Sequence, residues 1–275
     1  MNIAREDLPK IANRLRLDVL DTVYEVKDGH PGPAMSIADL IAVLYFHVMN
    51  IDPQNPSWEQ RDRFILSKGH ACPVLYAVLA RRGYYDLAEL KQLRMLEGKL
   101  QGHPVMNPQM GIEMTTGSLG NGVAIGNGMA QGLKYQGIDS YVYVAVGDGE
   151  EQEGIIWEGA MAAAHMKSDN LIVFADCNNY QSGGKVSEMS SLYPLIPKWE
   201  AFGWHCQEVD GHDHEAIIAA IEAAKAVKGK PHFIALKTVK GKGISYMIGD
   251  NSWHKRVPTQ EQMNIAHAEL DGVAL

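Results

Sequence analysis

Apolar positions along the chain follow two periods, one suited to helices and one to buried strands. Residues 7–28 place Ile11, Leu15, Val19, Thr22, Val23 and Val26 on or near one helical face, and the pattern stops at Asp28-Gly29. Two prolines in His30-Pro31-Gly32-Pro33 predict a forced loop, after which Ser36 caps a very apolar helix reaching about Met49. The polar segment 52–63 reads as a surface loop, and 64–66 as a short strand ending at Ser67-Lys68-Gly69-His70. Residues 72–82 predict a helix, and Asp86 with Glu89 makes a capping pair for another ending near Leu96. After an irregular stretch, 98–117, glycine and alanine recur throughout 117–132. Each glycine costs about 1 kcal/mol relative to alanine in a helix, so this segment predicts a helix that another backbone approaches closely.

The centre of the pattern is residues 141–181. A β-rich run, 141–146, ends at Gly147-Asp148-Gly149, and 153–166 carries Ile156, Trp157, Ala160, Met161, Ala164 and His165 at helical spacing. The apolar run 171–175 closes on Asp176-Cys177-Asn178-Asn179. Two buried parallel strands joined by one helix make a βαβ unit of roughly 30 residues. Strands at 204–209 and 232–238 follow, bridged by a helix at 214–228, then a loop from Gly241 and a last helix from about Thr259. The alternation predicts an α/β fold, a mostly parallel sheet with helices on both faces. Without a Pro/Gly/Ser linker or internal repeat, it predicts one domain over 1–275.

Composition narrows the class. With 46% hydrophobic residues a 275-residue chain buries a sizeable core. A net charge of −8 with no basic patch argues against nucleic acid or a membrane surface as partner. No apolar run approaches the ~20 residues that cross a bilayer. The amino terminus is charged and lacks a signal peptide's apolar core. Cys72, Cys177 and Cys206 show no CxxC spacing, which fits reduced thiols in a cytoplasmic protein.

Asp148 and Asn178 fall just past the carboxyl ends of neighbouring strands, the edge at which open α/β sheets bind ligands. One carboxylate, one amide oxygen and free backbone carbonyls suit Mg²⁺, which takes about six oxygens near 2.1 Å. Gly149 lets a phosphate approach the backbone, and the start of the Glu153 helix adds partial positive charge. A lone GDG favours an ordinary crossover turn; the paired turn at βαβ spacing reverses that and favours a Mg²⁺–diphosphate anchor. Of eleven histidines, His47, His165, His205, His212, His214, His232 and His267 lie in apparent helices, strands or exposed turns and read as structural. His30, His70, His103 and His254 lie in Gly/Pro-rich or polar loops, where a rigid scaffold places a site. Histidine is a poor Mg²⁺ ligand, and the chemistry for these four is stabilising anionic oxygens and passing protons near pH 7.

GDG, about thirty residues, then NN resembles the thiamine-diphosphate-binding signature. KDGHPG from Lys27, LSKGH from Leu66, QGHP from Gln101 and TTGSLG from Thr115 resemble four transketolase motifs in the same order. The likeness covers nearly the whole chain but only the amino-terminal half of a full-length transketolase, so the sequence is similar to the N-terminal subunit of a split one. The resemblance implies the thiamine-diphosphate-binding fold (pyrophosphate-binding domain). It implies that Asp148 and Asn178 bind Mg²⁺, or Ca²⁺ or Mn²⁺ in its place, through side chains, and Tyr180 through its backbone oxygen. His70, Gly117, Ser118, Leu119, Gly149, Glu153, Asn178 and His254 would contact the cofactor, while His30, His103 and His254 would face the substrate as catalytic groups. Glu153 matches a glutamate that the family buries between cofactor-binding halves, although a helix-start carboxylate favoured by the dipole explains it equally. The departures are Ser118 for a common proline, Asn179 for a common glycine, the bulky Tyr180, and a shorter loop with Trp253 before His254.

The implied reaction takes a two-carbon ketol unit from a ketose phosphate to an aldose phosphate, as in the pentose phosphate pathway of carbohydrate metabolism. In the family a second domain supplies a glutamate and aromatics over the cofactor. The chain ends at Leu275 without one, so the expectation is a separate C-terminal subunit, an α₂β₂ assembly, and no activity from the lone chain. The alternatives are a synthase relative condensing pyruvate with a sugar phosphate, a non-catalytic regulatory subunit, and an NAD-type Rossmann enzyme. The last needs a glycine fingerprint directly after a strand with an acid about 20 residues on, which the sequence does not supply.

Overall fold

The computed structural model describes residues 3–270. In chain order come α1 (Leu8–Val26), α2 (Pro31–Ser36), α3 (Ala38–Val43), β1 (Arg63–Leu66) and α4 (Cys72–Arg82). Then follow α5 (Asn121–Tyr135), β2 (Val142–Gly147), α6 (Gly154–His165) and β3 (Leu171–Cys177). A two-residue hairpin, β4 (Tyr180–Gln181) with β5 (Gly184–Lys185), precedes the short α7 (Val186–Met189) and α8 (Ile196–Ala201). The chain closes with β6 (His205–Asp210), α9 (His214–Ala226), β7 (His232–Lys237) and α10 (Gln260–Leu270).

Five strands form one parallel sheet in the order β1-β2-β3-β7-β6. Alternate side chains leave opposite faces of a strand, so each central strand feeds two cores. Tyr143, Ala145, Ile172, Phe174, Ile234 and Leu236 pack with residues of α1, α3, α4 and α9. Val144, Val146, Val173, Ala175, Phe233 and Ala235 pack with residues of α5, α6 and α8 on the other side. The register sets Gly147 beside Asp176, and so brings the turns after β2 and β3 together at one edge.

Glycine lets α5 lie flat on this sheet. A Cβ at Gly126 would sit 2.6 Å from Val144 Cγ2, and one at Gly159 of α6 would sit 3.0 Å from the Ala124 nitrogen. The close approach read from the small residues is therefore present, but α5 starts at Asn121 because Gly117 and Gly120 take φ of 135° and 88°.

Three expectations fail near the amino terminus. Pro31 and Pro33 open a helix, α2, in place of the expected loop. The first helical N–H groups have no intrahelical acceptor, so proline in that turn forfeits nothing. Ser36 accordingly ends α2 and caps nothing; its buried hydroxyl donates to the Pro33 carbonyl at 3.2 Å and to Asp176. The apolar helix beyond is likewise broken, into α3 and a π-helical turn, Leu44–Val48. Asp86 does cap, accepting from the Ala88 amide at 2.8 Å, but over a 3₁₀ segment, Leu87–Gln92. A third apolar group, including Leu17, Leu20, Met35, Met247 and Trp253, fastens the loop after Gly241 to α1 and α10.

Candidate active site

A cleft of about 400 Å³ opens at the carboxyl ends of β1, β2 and β3. Its floor is the pair of turns anticipated from the GDG and NN motifs. Asp148, 2% exposed, accepts from the Gly149 amide at 2.8 Å, the Asn179 amide at 2.6 Å and the Tyr193 hydroxyl at 2.9 Å. Asn178 accepts from the Tyr180 amide at 2.9 Å and donates its own amide nitrogen to Asp176 at 2.8 Å. Burial, reinforced by the Asp176 charge, pushes the Asp148 carboxyl up to about 6.

These residues fit a hard cation. The donors at hand are a carboxylate, an amide oxygen and the backbone oxygen of Tyr180, all oxygens. The desolvated Asp148 charge is what a cation beside it would relieve. Among the described residues no three His, Cys, Asp or Glu side chains group to hold a metal alone. A cation here therefore needs further oxygens, which phosphate and water provide.

Beneath the turns lies a buried ion pair to which sequence analysis assigns no role. Lys68 donates to Asp176 and, at 2.9 Å, to the Pro33 carbonyl. Thr238, Ser36 and Asn178 also donate to Asp176. Burial acts to raise the Asp176 pKa, but the Lys68 ammonium and these donors outweigh it and hold the carboxylate ionised. Two charges stay in an interior only when extra hydrogen bonds offset their desolvation, as here. The only signal in the sequence is a carboxylate ending an apolar strand. Glu150 is a second omission: it accepts from Ser67, the Gly120 amide at 2.8 Å and the Gly147 amide at 3.1 Å, tying three loops around the cleft.

The four loop histidines converge. His30, His70 and His254 stand 5.1–5.6 Å apart, ring centre to ring centre. Burial, with Lys68 adding to it, drives His70 down to about 2; burial and Lys240 take His254 to about 3. Burial, Arg94 and Lys255 take His30 to about 4. All three are neutral near pH 7, each with one N–H to give and one nitrogen to accept. Lys240, also unforeseen, donates to His254 Nδ1 at 2.9 Å and so places the His254 proton on Nε2. Trp253 explains how the shortened loop still delivers His254: its ring is buried, and its carbonyl abuts Gly32, where a Cβ would lie only 2.7 Å away.

Of the other expected residues, His70, Gly117, Leu119, Gly149, Glu153, Asn178, Tyr180 and His254 line the cleft. A Cβ on Gly149 would stand 2.8 Å from Gln181 Cβ, so the cradle depends on its absence. His103 lies against Gly117, 3.0 Å from where a Cβ would be, and His30 lines an adjoining hollow. Ser118 is the exception: it lies outside the lining, with its carbonyl accepting from Asn121. Glu153 is exposed at the start of α6, and its side chain caps no amide there.

Comparison with known proteins identifies the family. The family described as "Transketolase, thiamine diphosphate binding domain" matches residues 8–270. The chain is 44% identical over 265 residues to the 6-deoxy-6-sulfo-D-fructose transketolase subunit SqwG of Clostridium sp. (strain MSTE9), covering 96% of each chain. It is 39% identical over 270 residues to an apulose-4-phosphate transketolase subunit of Phocaeicola vulgatus, covering 98% of this chain and 95% of that one. The solved structure of transketolase from Leishmania mexicana superposes with a TM-score of 0.90 at 34% identity, covering 98% of this chain and 42% of that one. The chain belongs to the transketolase family, matching its thiamine-diphosphate-binding domain.

Proposed function

We propose that this chain is the cofactor-binding subunit of a two-subunit transketolase, dependent on thiamine diphosphate and Mg²⁺. It moves a two-carbon ketol unit from a ketose bearing a terminal phosphate or sulfonate to an aldose phosphate. One observation carries the reading: the Asp148 and Asn178 turns share one cleft with the neutral His70 and His254, and His30 packs against both rings from the adjoining hollow. The end-to-end match to proteins named as transketolase subunits supports a separate C-terminal partner, and we place the two in an α₂β₂ assembly. Their ketol-transfer names favour this reading over a pyruvate-condensing synthase, a non-catalytic subunit or an NAD enzyme. We further assign the chain as a single domain of a cytoplasmic, pentose-phosphate-type enzyme. Its three free cysteines and the lack, among the described residues, of a helix long and apolar enough to cross a membrane are compatible with that setting.

The chemistry that bound thiamine diphosphate supplies is a carbanion equivalent for carbon–carbon bond cleavage. The protein's part is to hold, orient and desolvate. Asp148, Asn178 and the Tyr180 carbonyl hold the cation, and Gly117, Leu119 and Gly149 leave room for the diphosphate. His70 and His254 give N–H bonds to anionic oxygens; neutral imidazoles do so without the desolvation penalty of a buried charge. His30 and His103 give and accept protons at the sugar hydroxyls and carbonyl, while His254, whose Nδ1 is taken by Lys240, gives its Nε2 proton there. Glu153, exposed beside the cleft, faces the partner subunit.

Calorimetry on the chain co-expressed with its candidate C-terminal partner tests the reading. Tight, Mg²⁺-dependent thiamine diphosphate binding is expected for the complex, weak binding for the lone chain, and none for Asp148→Ala. Tight binding by the lone chain would overturn the shared site, and absence of binding in every form would overturn the enzyme.

A further inference from the structure

The two oxygens of the Asp148 carboxylate are unequally engaged. Among the described residues, Oδ1 accepts only from the Gly149 amide, at 2.8 Å. Oδ2 accepts twice, from the Asn179 amide at 2.6 Å and from the Tyr193 hydroxyl at 2.9 Å. A carboxylate offers about four lone-pair sites, two on each oxygen. Oδ2 is therefore filled, while Oδ1 keeps a lone pair for a cation.

The Gly149 and Asn179 amides belong to the two turns themselves; Tyr193 is the donor the turns do not supply. It comes from outside the cleft, whose lining does not include it. Its ring borders a separate cavity of about 640 Å³ together with Cys177, Pro194, Leu195 and Glu208. The residue is 39% exposed, so packing alone gives its hydroxyl no reason to point at Asp148. The segment that carries it is fastened independently of the turns. Leu195 and Trp199 are buried in the core against the sheet, and the Lys198 ammonium donates to the Leu192 carbonyl and, at 3.1 Å, to the Pro194 carbonyl. A phenol on so firm a backbone is held against Oδ2.

Partners of a metal ligand decide how that ligand is presented, and commonly shift metal affinity by roughly 10–100-fold. Divalent cations differ in what they ask of a carboxylate. Mg²⁺ demands a near-ideal octahedron, which the narrow bite of a two-oxygen carboxylate does not fit, whereas Ca²⁺ takes 6–8 oxygens and accepts a carboxylate through both. We propose that Tyr193 sets the cation preference of the site: by occupying Oδ2 it leaves Asp148 a one-oxygen ligand, which suits Mg²⁺ and withholds the second oxygen from Ca²⁺. The inference rests on the Mg²⁺–diphosphate reading and adds a positioning residue that acts through Asp148.

The test uses the two-subunit complex, stripped of metal by a chelator and then saturated with thiamine diphosphate. Calorimetric titration gives Kd for Mg²⁺ and for Ca²⁺ in wild type and in Tyr193→Phe, which keeps the ring and removes only the hydroxyl. In the variant, Kd for Ca²⁺ is expected to fall about tenfold relative to Kd for Mg²⁺. Thermal denaturation should agree, with Ca²⁺ raising Tm more in Tyr193→Phe than in wild type. A loosened fold weakens both cations, so a gain confined to Ca²⁺ is not a product of structural damage. A ratio of the two constants that stays the same or moves toward Mg²⁺, or an equal weakening of both, would overturn the proposal. A wild-type complex that binds neither cation alongside thiamine diphosphate refutes the Mg²⁺–diphosphate reading, and the inference falls with it.

Discussion

Asn178 gives its amide nitrogen to Asp176 at 2.8 Å and so turns its oxygen toward the turn shared with Tyr180 and Asp148. The buried carboxylate thus fixes which end of the amide meets a cation, and Lys68 fixes the carboxylate. Asp176→Asn removes that instruction and leaves the Lys68 ammonium, 2% exposed, without its counter-charge. The expected outcome is a loss of about 3 kcal/mol in stability together with Mg²⁺-dependent cofactor binding. The double variant Lys68→Met/Asp176→Leu should recover stability by urea denaturation but not binding by calorimetry, which separates the two roles.

Asp148 should behave in the opposite way. Its carboxyl is pushed up to about 6 by burial and the Asp176 charge, so at pH 8 it is ionised against its surroundings. A carboxyl whose folded pKa is raised stabilises below its unfolded pKa, and the contribution is lost as pH rises through the folded one. In the cation-free chain at pH 8, Asp148→Asn is expected to keep or raise stability, by up to about 2 kcal/mol, while abolishing Mg²⁺-dependent binding. Thermal denaturation with and without Mg²⁺ checks both signs.

The glycines of α5 divide by what they face. A Cβ at Gly122 would overlap Ser67, the residue that donates to Glu150, whereas Gly128 and Gly132 have nothing within 4 Å. Gly122→Ala is expected to destabilise by about 2–3 kcal/mol. Gly128→Ala and Gly132→Ala should each stabilise the isolated chain by about 0.5–1 kcal/mol. Equal effects at all three positions by chemical denaturation would contradict this packing.

His232 predicts the acid limb of the stability curve. It is fully buried, and burial lowers its pKa from 6.5 to about 4. Between those values the unfolded chain binds the extra proton. Stability is therefore complete above pH 6.5 and falls as pH drops toward 4, by up to about 1.4 kcal/mol per pH unit from this residue. His232→Gln, compared with wild type by denaturation from pH 4 to 7, should flatten part of that slope. The lowered histidines of the cleft act in the same sense, and the raised Asp148 opposes them.

The parts of the molecule legible in its sequence are those with a local cause. The central strands announce themselves by unbroken apolar runs and end at polar turns, so the letters alone locate Asp148 and Asn178. The four histidines stand out because each lies among glycines, prolines or polar residues, although the structure puts His70 and His254 on short 3₁₀ turns, Gly69–Ala71 and Asn251–His254, rather than in loops. A local rule misleads when it is applied to the wrong position. Proline breaks a helix interior, but Pro31 and Pro33 occupy a first turn, which has no hydrogen bond for them to remove. Because that helix forms, Ser36 lies at its end rather than at the start of the next.

By itself, then, the sequence determined the βαβ unit, the parallel sheet and the residue types at its edge, because periodicity and turn chemistry act over a few residues. Tertiary structure decided the rest. Only the assembled sheet inserts β7 between β3 and β6 and brings Thr238 to Asp176. Lys68 meets Asp176 across 108 residues, and Ser67 meets Glu150 across 83. A buried charge means nothing until its partner is known, since desolvation and pairing nearly cancel and geometry sets the sign.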